Sequence, residues 1–286
     1  MKNNKIISLI IILIIYIIAA MIGFIAYINL PFEFYFNLLI ADVISTIVVF
    51  TFSLILNNAS CYDPYWSIAP LFIVVALLMN RPLNLPRILV SIAVIGWAVR
   101  LTINWIYTFD NLNWIDWRYE LLKDKSKKLY PIINLLGIHM FPTIVVYFCI
   151  LPVVFMFYYE VSINPLVIVF FIFSIMSFTM QGIADIQMHK YRKNRNGTFN
   201  RNGLWKYSRH PNYLGEILMW INIAIIAISA LGNYYFLIIG AVINTLMFIF
   251  ISIPLAENHQ KDRKEGFLEY KNETRMLLPI YKKKNN

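Results

Sequence analysis

Cysteine, glycine and charged side chains are all scarce in this chain, and each scarcity removes a class of protein. Cys61 and Cys149, the two cysteines among 286 residues, fall in or beside apolar helix-forming runs, so no disulfide framework is expected. The ten glycines form neither G-x-G-x-x-G nor G-x-x-x-x-G-K-[ST], which excludes a Rossmann fingerprint and a P-loop. Any nucleotide must be held in another way. His139, His189, His210 and His259 are scattered, without the H-x-x-x-H or C-x-x-C spacing of a metal site, and no metal is expected. Only 14% of residues are charged, against about 25% in a soluble domain. Between residues 6 and 80 there is no lysine or arginine.

Hydrocarbon fills the space. Hydrophobic residues make up 59% of the chain, and several runs reach about 20 residues, the length that spans a bilayer core. The pattern predicts an all-α, polytopic membrane bundle of seven or eight transmembrane helices. They are placed near 5–28, 37–57, 66–80, 87–108, 138–158, 163–184, 213–231 and 234–254. Seven spans would leave one of these segments re-entrant. The start, "MKNNKIISLIIILIIYIIAAMIGFIAYI", is apolar for longer than a signal-peptide core and reads as a retained first helix.

The net charge of +10 is unevenly spread. Lys123, Lys125, Lys127 and Lys128 form one cluster; Lys190, Arg192, Lys193, Arg195, Arg201, Lys206 and Arg209 form a second; the tail ends "YKKKNN". Cytoplasmic loops carry such an excess, so the loops 109–137 and 185–212 and both termini are expected on the cytoplasmic side. Arg81 and Arg87 run against that count. The localisation expected is an integral multi-pass protein of a bacterial inner membrane, or of the endoplasmic reticulum in a eukaryote. The basic segments are short and belong to no nucleic-acid-binding module, so the expected macroscopic partner is membrane lipid.

The polar residues gather at a few places. "NGLWKYSRHPNYLGEILMW" passes from a basic, aromatic loop into an apolar helix. Pro211 suits a first turn, and Ser208 or His210 lies where a cap belongs. The free amides and positive end of such a helix attract anions, phosphates especially, with Lys206 and Arg209 adding full charges. Asn212 and Glu216 share one face one turn apart, beside Tyr213. Glu216 is an acid inside an apolar span, which makes it a functional candidate. Upstream, Asp185, His189 and Arg192 recur at helical spacing in "ADIQMHKYR". In the tail, Glu257 and Lys261, and His259 and Arg263, are four apart and would pair on a helix. "NNASCYDPYWSIAP" sets Asp63 between Tyr62 and Tyr65 at a helix start, and Arg100 lies well inside the fourth span, where Asp63 is its candidate partner.

These residues carry a resemblance. "GLWKYSRHPNYLGEI", preceded by "ADIQMHKYR" and followed by "FLEYKNETRMLLPIY", is similar to the C-terminal domain of the steroid 5α-reductase family, and closest to its uncharacterised membrane relatives. "YDPYWSIAP", "WAVRLTINW" and "DWRYE" extend the likeness over residues 55–286, leaving 1–54 as N-terminal transmembrane helices outside it. The resemblance implies an all-helical enzyme that uses NADPH to reduce a carbon–carbon double bond conjugated to a carbonyl. It assigns cofactor-binding positions to Asp185, Arg192, Asn212, Glu216 and His259, and a substrate-carbonyl position to Asp63. Arg100 matches an arginine of a motif whose tyrosine acts on the carbonyl, but here Trp97 stands in place of that tyrosine.

The expected activity is therefore an NADPH-dependent oxidoreductase acting on a lipid or steroid-like enone. Its cytoplasmic loops and tail form the nucleotide site, from Asp185, Arg192, Lys206, Arg209, Asn212, Tyr213, Glu216 and His259. The candidate catalytic residues are Asp63, Tyr62, Tyr65 and Arg100, with Asp63 or a flanking tyrosine as proton donor. The alternative is an S-adenosylmethionine-dependent membrane methyltransferase of the isoprenylcysteine or phospholipid type, which shares R-H-P-x-Y. Its tail usually carries adjacent glutamates, where this chain has Glu257-Asn258. A non-catalytic membrane scaffold is the third reading.

Overall fold

The structure, a computed structural model, describes residues 2–194 and 198–278; Arg195 and the lysines of "YKKKNN" lie outside the described residues. Among those described, the chain is helical throughout, with no strand and one isolated bridge pairing Ser208 with Arg275. Long helices are α1 (Lys5–Asn29), α2 (Phe34–Ile55), α3 (Tyr65–Asn80) and α4 (Leu85–Thr108). Next come α5 (Trp117–Ser126), α6 (Tyr130–Ile133), a π-helical stretch (Asn134–Met140) and α7 (Phe141–Tyr158). The chain continues through α8 (Pro165–Lys193), α9 (Pro211–Leu231), α10 (Ile239–Met247), a second π-helical stretch (Phe248–Ser252), α11 (Ile253–Arg263) and α12 (Phe267–Glu273).

Among the described residues, eight helical segments are long and apolar enough to cross a membrane. The protein reads as a multi-pass membrane protein. Its outward faces agree with a hydrocarbon solvent: Ile10, Leu13, Ile14 and Ile17 of α1 and Ile168, Ile172 and Met176 of α8 are exposed. In water such stripes would be an association hazard; in lipid they match their surroundings. The fifth span differs from expectation by being reached through α5, α6 and the π-helical turn rather than starting cleanly at 138.

The chain divides into two compact units, 1–83 with 97–158, and 84–96 with 159–286. In the first, α1 and α2 approach closely through small residues. Ser45 donates to the Ala19 carbonyl at 2.9 Å, and a side chain on Gly23 would meet the Ala41 carbonyl at 3.2 Å. Polar side chains inside this unit satisfy one another: Tyr65 donates to Asp42 at 2.9 Å, and Thr46 and Tyr62 both bond Thr143, at 2.9 and 2.8 Å. Without water in the bilayer core, each unpaired polar group would cost several kcal/mol, roughly.

The second unit is built on the antiparallel packing of α8 and α9. Asn222 donates to Ser177 at 3.2 Å, and Asn164 donates to the Ser229 carbonyl at 2.8 Å. Gly215 is the contact point: a Cβ there would lie 2.7 Å from the Ser177 carbonyl. Gly215→Ala is expected to destabilise the protein by about 1–3 kcal/mol, the usual range for overpacking. Melting in detergent checks this; an unchanged melting temperature would mean that α8 and α9 do not touch there.

Candidate functional site

In the first unit, a loop and a short helix close over Asp63. Asn58 starts the turn: its side chain accepts from the Ser60 amide at 2.8 Å and donates to the Leu112 and Trp114 carbonyls at 2.7 and 2.9 Å. That fixes the 109–116 loop, and the Asp116 amide then donates to the Ser60 hydroxyl at 2.8 Å. Asp116 caps α5 by accepting from the Arg118 amide at 2.9 Å, and holds the Arg118 guanidinium at 2.8 and 3.0 Å. Tyr119, next in line, donates its hydroxyl to Asp63 Oδ1. Arg118 Nη2 stands 3.9 Å from the same oxygen. Asp63 Oδ2 has no hydrogen-bond partner among the described residues, and the side chain is only 11% exposed. The carboxylate is therefore half used.

The flanking tyrosines turn elsewhere, Tyr62 to Thr143 and Tyr65 to Asp42. Trp97 is fully buried with Trp66 edge-on to it, ring centroids 6.3 Å apart. Arg100 is half-buried on α4. The guanidinium found next to Asp63 is that of Arg118, which the sequence reading did not consider.

In the second unit, the rim of α8 and α9 gathers the candidate cofactor residues. Trp205 Nε1 donates to the Ala184 carbonyl at 2.9 Å and the Leu204 amide to Gln187 at 2.9 Å, pinning the basic loop to α8. Pro211 opens α9 with His210 at the cap position, and Ser208 accepts from the His210 amide at 3.2 Å. One turn in, Asn212 donates to Asp185 at 3.4 Å, both half-buried. Glu216 is buried below them and accepts from Trp220 Nε1 at 2.8 Å. Arg192 and Lys206 are exposed, the latter with its ammonium 5.7 Å from the Tyr207 ring. Tyr213 stacks on His210 at 5.2 Å between centroids and leans on Phe248. His259 is half-buried on α11.

Arg209 has another occupation. Its guanidinium bonds Glu257 Oε1 through Nε at 2.8 Å and Nη2 at 2.7 Å, and donates to the Thr274 and Lys271 carbonyls. Its amide donates to the Arg275 carbonyl at 2.8 Å. His210 Nε2 shares the same Glu257 oxygen at 3.2 Å, and Lys271 reaches the other at 3.5 Å. Glu257, expected to pair with Lys261 one turn along its own helix, instead receives Arg209 and His210 from the α9 start. Burial lowers the His210 pKa, against the opposing pull of Glu257. The arrangement clasps the tail onto the loop. Beside it, Phe199 stacks on Tyr270 at 4.7 Å, and burial pushes the Tyr270 hydroxyl up to about 12.

Residues 49–274 match the family model described as Protein of unknown function (DUF1295). The chain belongs to this family. No curated protein and no solved structure matches it significantly. The DUF1295 match contains Asp63, the α8–α9 rim and the clasp, and it ends at Thr274, where Arg209 docks. Two partners within it escaped the sequence reading. Tyr119 and Arg118 sit in "DWRYE", where Asp116 before a polar helical run was the available signal.

Proposed function

We propose that this member of DUF1295 is an NADPH-dependent membrane reductase of a carbon–carbon double bond conjugated to a carbonyl in a lipid or steroid-like molecule. The observation that carries the reading is the rim of α8 and α9, where Asn212 meets Asp185 one turn from buried Glu216, in the stretch that resembles the steroid 5α-reductases. The chemistry of that donor set fits a dinucleotide. Asn212, Asp185 and Glu216 would hold the carboxamide and ribose hydroxyls, and exposed Arg192 and Lys206 would face phosphates. Arg209 is engaged by Glu257 and the tail, so its proposed role is to fix the loop rather than to touch phosphate.

NADPH, when bound, supplies the hydride that reduces the β-carbon of an enone. The protein must then meet the negative charge growing on the carbonyl oxygen. Of the three candidate donors, Tyr65 already gives its hydroxyl proton to Asp42, and the Tyr62 hydroxyl is hydrogen-bonded to Thr143. Asp63 keeps Oδ2 open, while Tyr119 holds Oδ1 and Asp116 absorbs most of the Arg118 charge. A proton on Oδ2 is thus the proposed acid.

Thermal-shift titration in detergent tests the cofactor. NADPH should raise the melting temperature and S-adenosylmethionine should not; stabilisation by S-adenosylmethionine alone would replace this reading with a methyltransferase. In the same assay Asn212→Ala and Glu216→Gln should each weaken NADPH binding by about 1–3 kcal/mol, the cost of a lost ligand hydrogen bond. The glutamine still offers Trp220 an acceptor, so folding is retained. Wild-type affinity in either variant removes that residue from the site.

A further inference from the structure

The first unit holds a second carboxyl that the proposed chemistry does not use. Asp42 lies inside the second membrane-crossing segment, roughly 12 Å along α2 from its start at 1.5 Å per residue. It is 8% exposed and accepts the Tyr65 hydroxyl on Oδ1 at 2.9 Å. Among the described residues it makes no ion pair within 4.0 Å. Around it stand α1, the Ala59–Tyr62 turn, α3, the π-helical stretch Asn134–Met140 and α7, whose only lysine or arginine is Lys5. Lys5 opens α1, roughly 27 Å along that helix from Gly23, the residue that faces the Ala41 carbonyl. The titratable neighbours are tyrosines and one histidine. Tyr16 is edge-on to Tyr65, His139 lies 4.6 Å from the Tyr62 ring between centroids, and Tyr147 donates to the Tyr35 carbonyl at 2.8 Å. A carboxylate left in hydrocarbon without a cation is costly, and an acid placed there is a functional candidate. An asparagine would accept the Tyr65 hydroxyl equally well, so that hydrogen bond alone does not call for an acid.

What Asp42 is joined to sets it apart from a simple acceptor. Thr46, one turn along α2, interacts with the Tyr65 hydroxyl, the loosest link of the set. Thr46 Oγ1 and Thr143 Oγ1 are 2.9 Å apart, and Thr143 Oγ1 is 2.8 Å from the Tyr62 hydroxyl. The linking groups of Tyr65, Thr46, Thr143 and Tyr62 are all hydroxyls, and all four residues are buried. A hydroxyl accepts one proton while it gives up another, which an amide or indole N–H cannot do. The four can therefore be ordered head to tail, from Tyr62 to Thr143 to Thr46 to Tyr65, with the last ending on Asp42 Oδ1.

We propose that Asp42 is an intramembrane proton-binding site, and that the four hydroxyls carry its proton to and from the turn at Tyr62. A proton that arrives from water at the Tyr62 oxygen releases that tyrosine's own proton to Thr143. Thr143 passes one to Thr46, Thr46 to Tyr65, and Tyr65 to Asp42 Oδ1. Each O–H bond that breaks is replaced by one that forms, the carboxylate becomes a carboxylic acid, and nothing is oxidised or reduced. Discharge runs the same steps in reverse. Tyr62 immediately precedes Asp63, and the proposed reduction consumes one proton for each hydride. The use of Asp42 as a supply for that reaction rests on the reductase reading; the site and its chain do not.

Infrared spectroscopy of the full-length protein tests this, in a maltoside detergent that has no carbonyl of its own. At pH 7 the wild type should show a carboxylic-acid C=O stretch that is missing from Asp42→Asn, a variant that keeps the acceptor for Tyr65. Transfer into heavy water should shift that band as the acid proton exchanges. Thr143→Val keeps the side-chain shape and removes the middle hydroxyl, so the band should remain while its exchange slows by about tenfold, a barrier raised by about 1.4 kcal/mol. Loosened packing would quicken exchange, so slowing separates a broken chain from a damaged fold. Thr46→Val removes the neighbouring hydroxyl and should slow exchange in the same way. Absence of an Asp42 acid band at pH 7 overturns the site, and exchange as fast as wild type in both threonine variants overturns the chain. Neither NADPH nor substrate enters the measurement, so a failure of hydride transfer and a failure of this proposal are read separately.

Discussion

Replacing Asp63 with asparagine is expected to abolish turnover while leaving the fold and NADPH affinity close to wild type. The asparagine Oδ1 still accepts the Tyr119 hydroxyl, and Arg118 stays clamped by Asp116 at 2.8 and 3.0 Å, so no buried charge is stranded. What disappears is the proton on the open oxygen. Loss of a positioned general acid lowers rate by about 10²–10⁴-fold. Melting temperature and steady-state rate, measured on the same preparation, separate the two roles Asp63 can have. A stable, NADPH-binding, inactive variant supports the acid. A low-melting variant would make Asp63 a structural anchor for the 109–116 loop, and full activity would remove it from the chemistry altogether.

Arg209→Met should act in the opposite manner, on stability before binding. Arg209 is 7% exposed and supplies two bonds to Glu257 and two more to tail carbonyls. Removing one partner of a buried ion pair costs about 3–5 kcal/mol, because the remaining charge stays buried without compensation. Lys271, half-exposed and 3.5 Å away, offsets little of that in a solvated position. Adding Glu257→Gln to Arg209→Met should restore part of the loss, since the stranded charge is gone. The double-mutant cycle read by chemical denaturation checks the coupling. An Arg209→Met protein with native stability and weakened NADPH affinity would return Arg209 to the phosphate site.

The apolar helices, expected as seven or eight spans, were legible because hydrocarbon leaves a chain few choices. Backbone groups must pair within the segment, so each apolar run of sufficient length becomes a helix. The start of α9 was legible for a local reason too: Pro211 after a polar loop and before an apolar run is a helix opening whatever surrounds it. What could not be read are meetings between distant segments. Asp185 and Asn212 are 27 residues apart, and Asp63 and Tyr119 are 56 apart. Glu257 shows how local reasoning misleads. Its i+4 neighbour Lys261 was a sound pairing on an isolated helix, but a surface pair is worth only a few tenths of a kcal/mol, roughly. The tail folds back onto the α9 start, where Glu257 meets Arg209 in a buried setting and a carboxylate without a cation would be far costlier. The π-helical turn at Asn134–Met140 was likewise hidden, since nothing in "NLLGIHM" departs from an ordinary helical pattern.

Hydride transfer is the central claim, and isotopic labelling tests it most directly. The purified protein is incubated with a membrane lipid extract and NADPH carrying deuterium at the transferable position of the nicotinamide, and the lipids are read by mass spectrometry. The prediction is a saturated carbonyl lipid bearing one deuterium on the β-carbon, absent when Asp63→Asn replaces the wild type. Deuterium uptake by no lipid, with methyl label from S-adenosylmethionine appearing in one, would contradict the account.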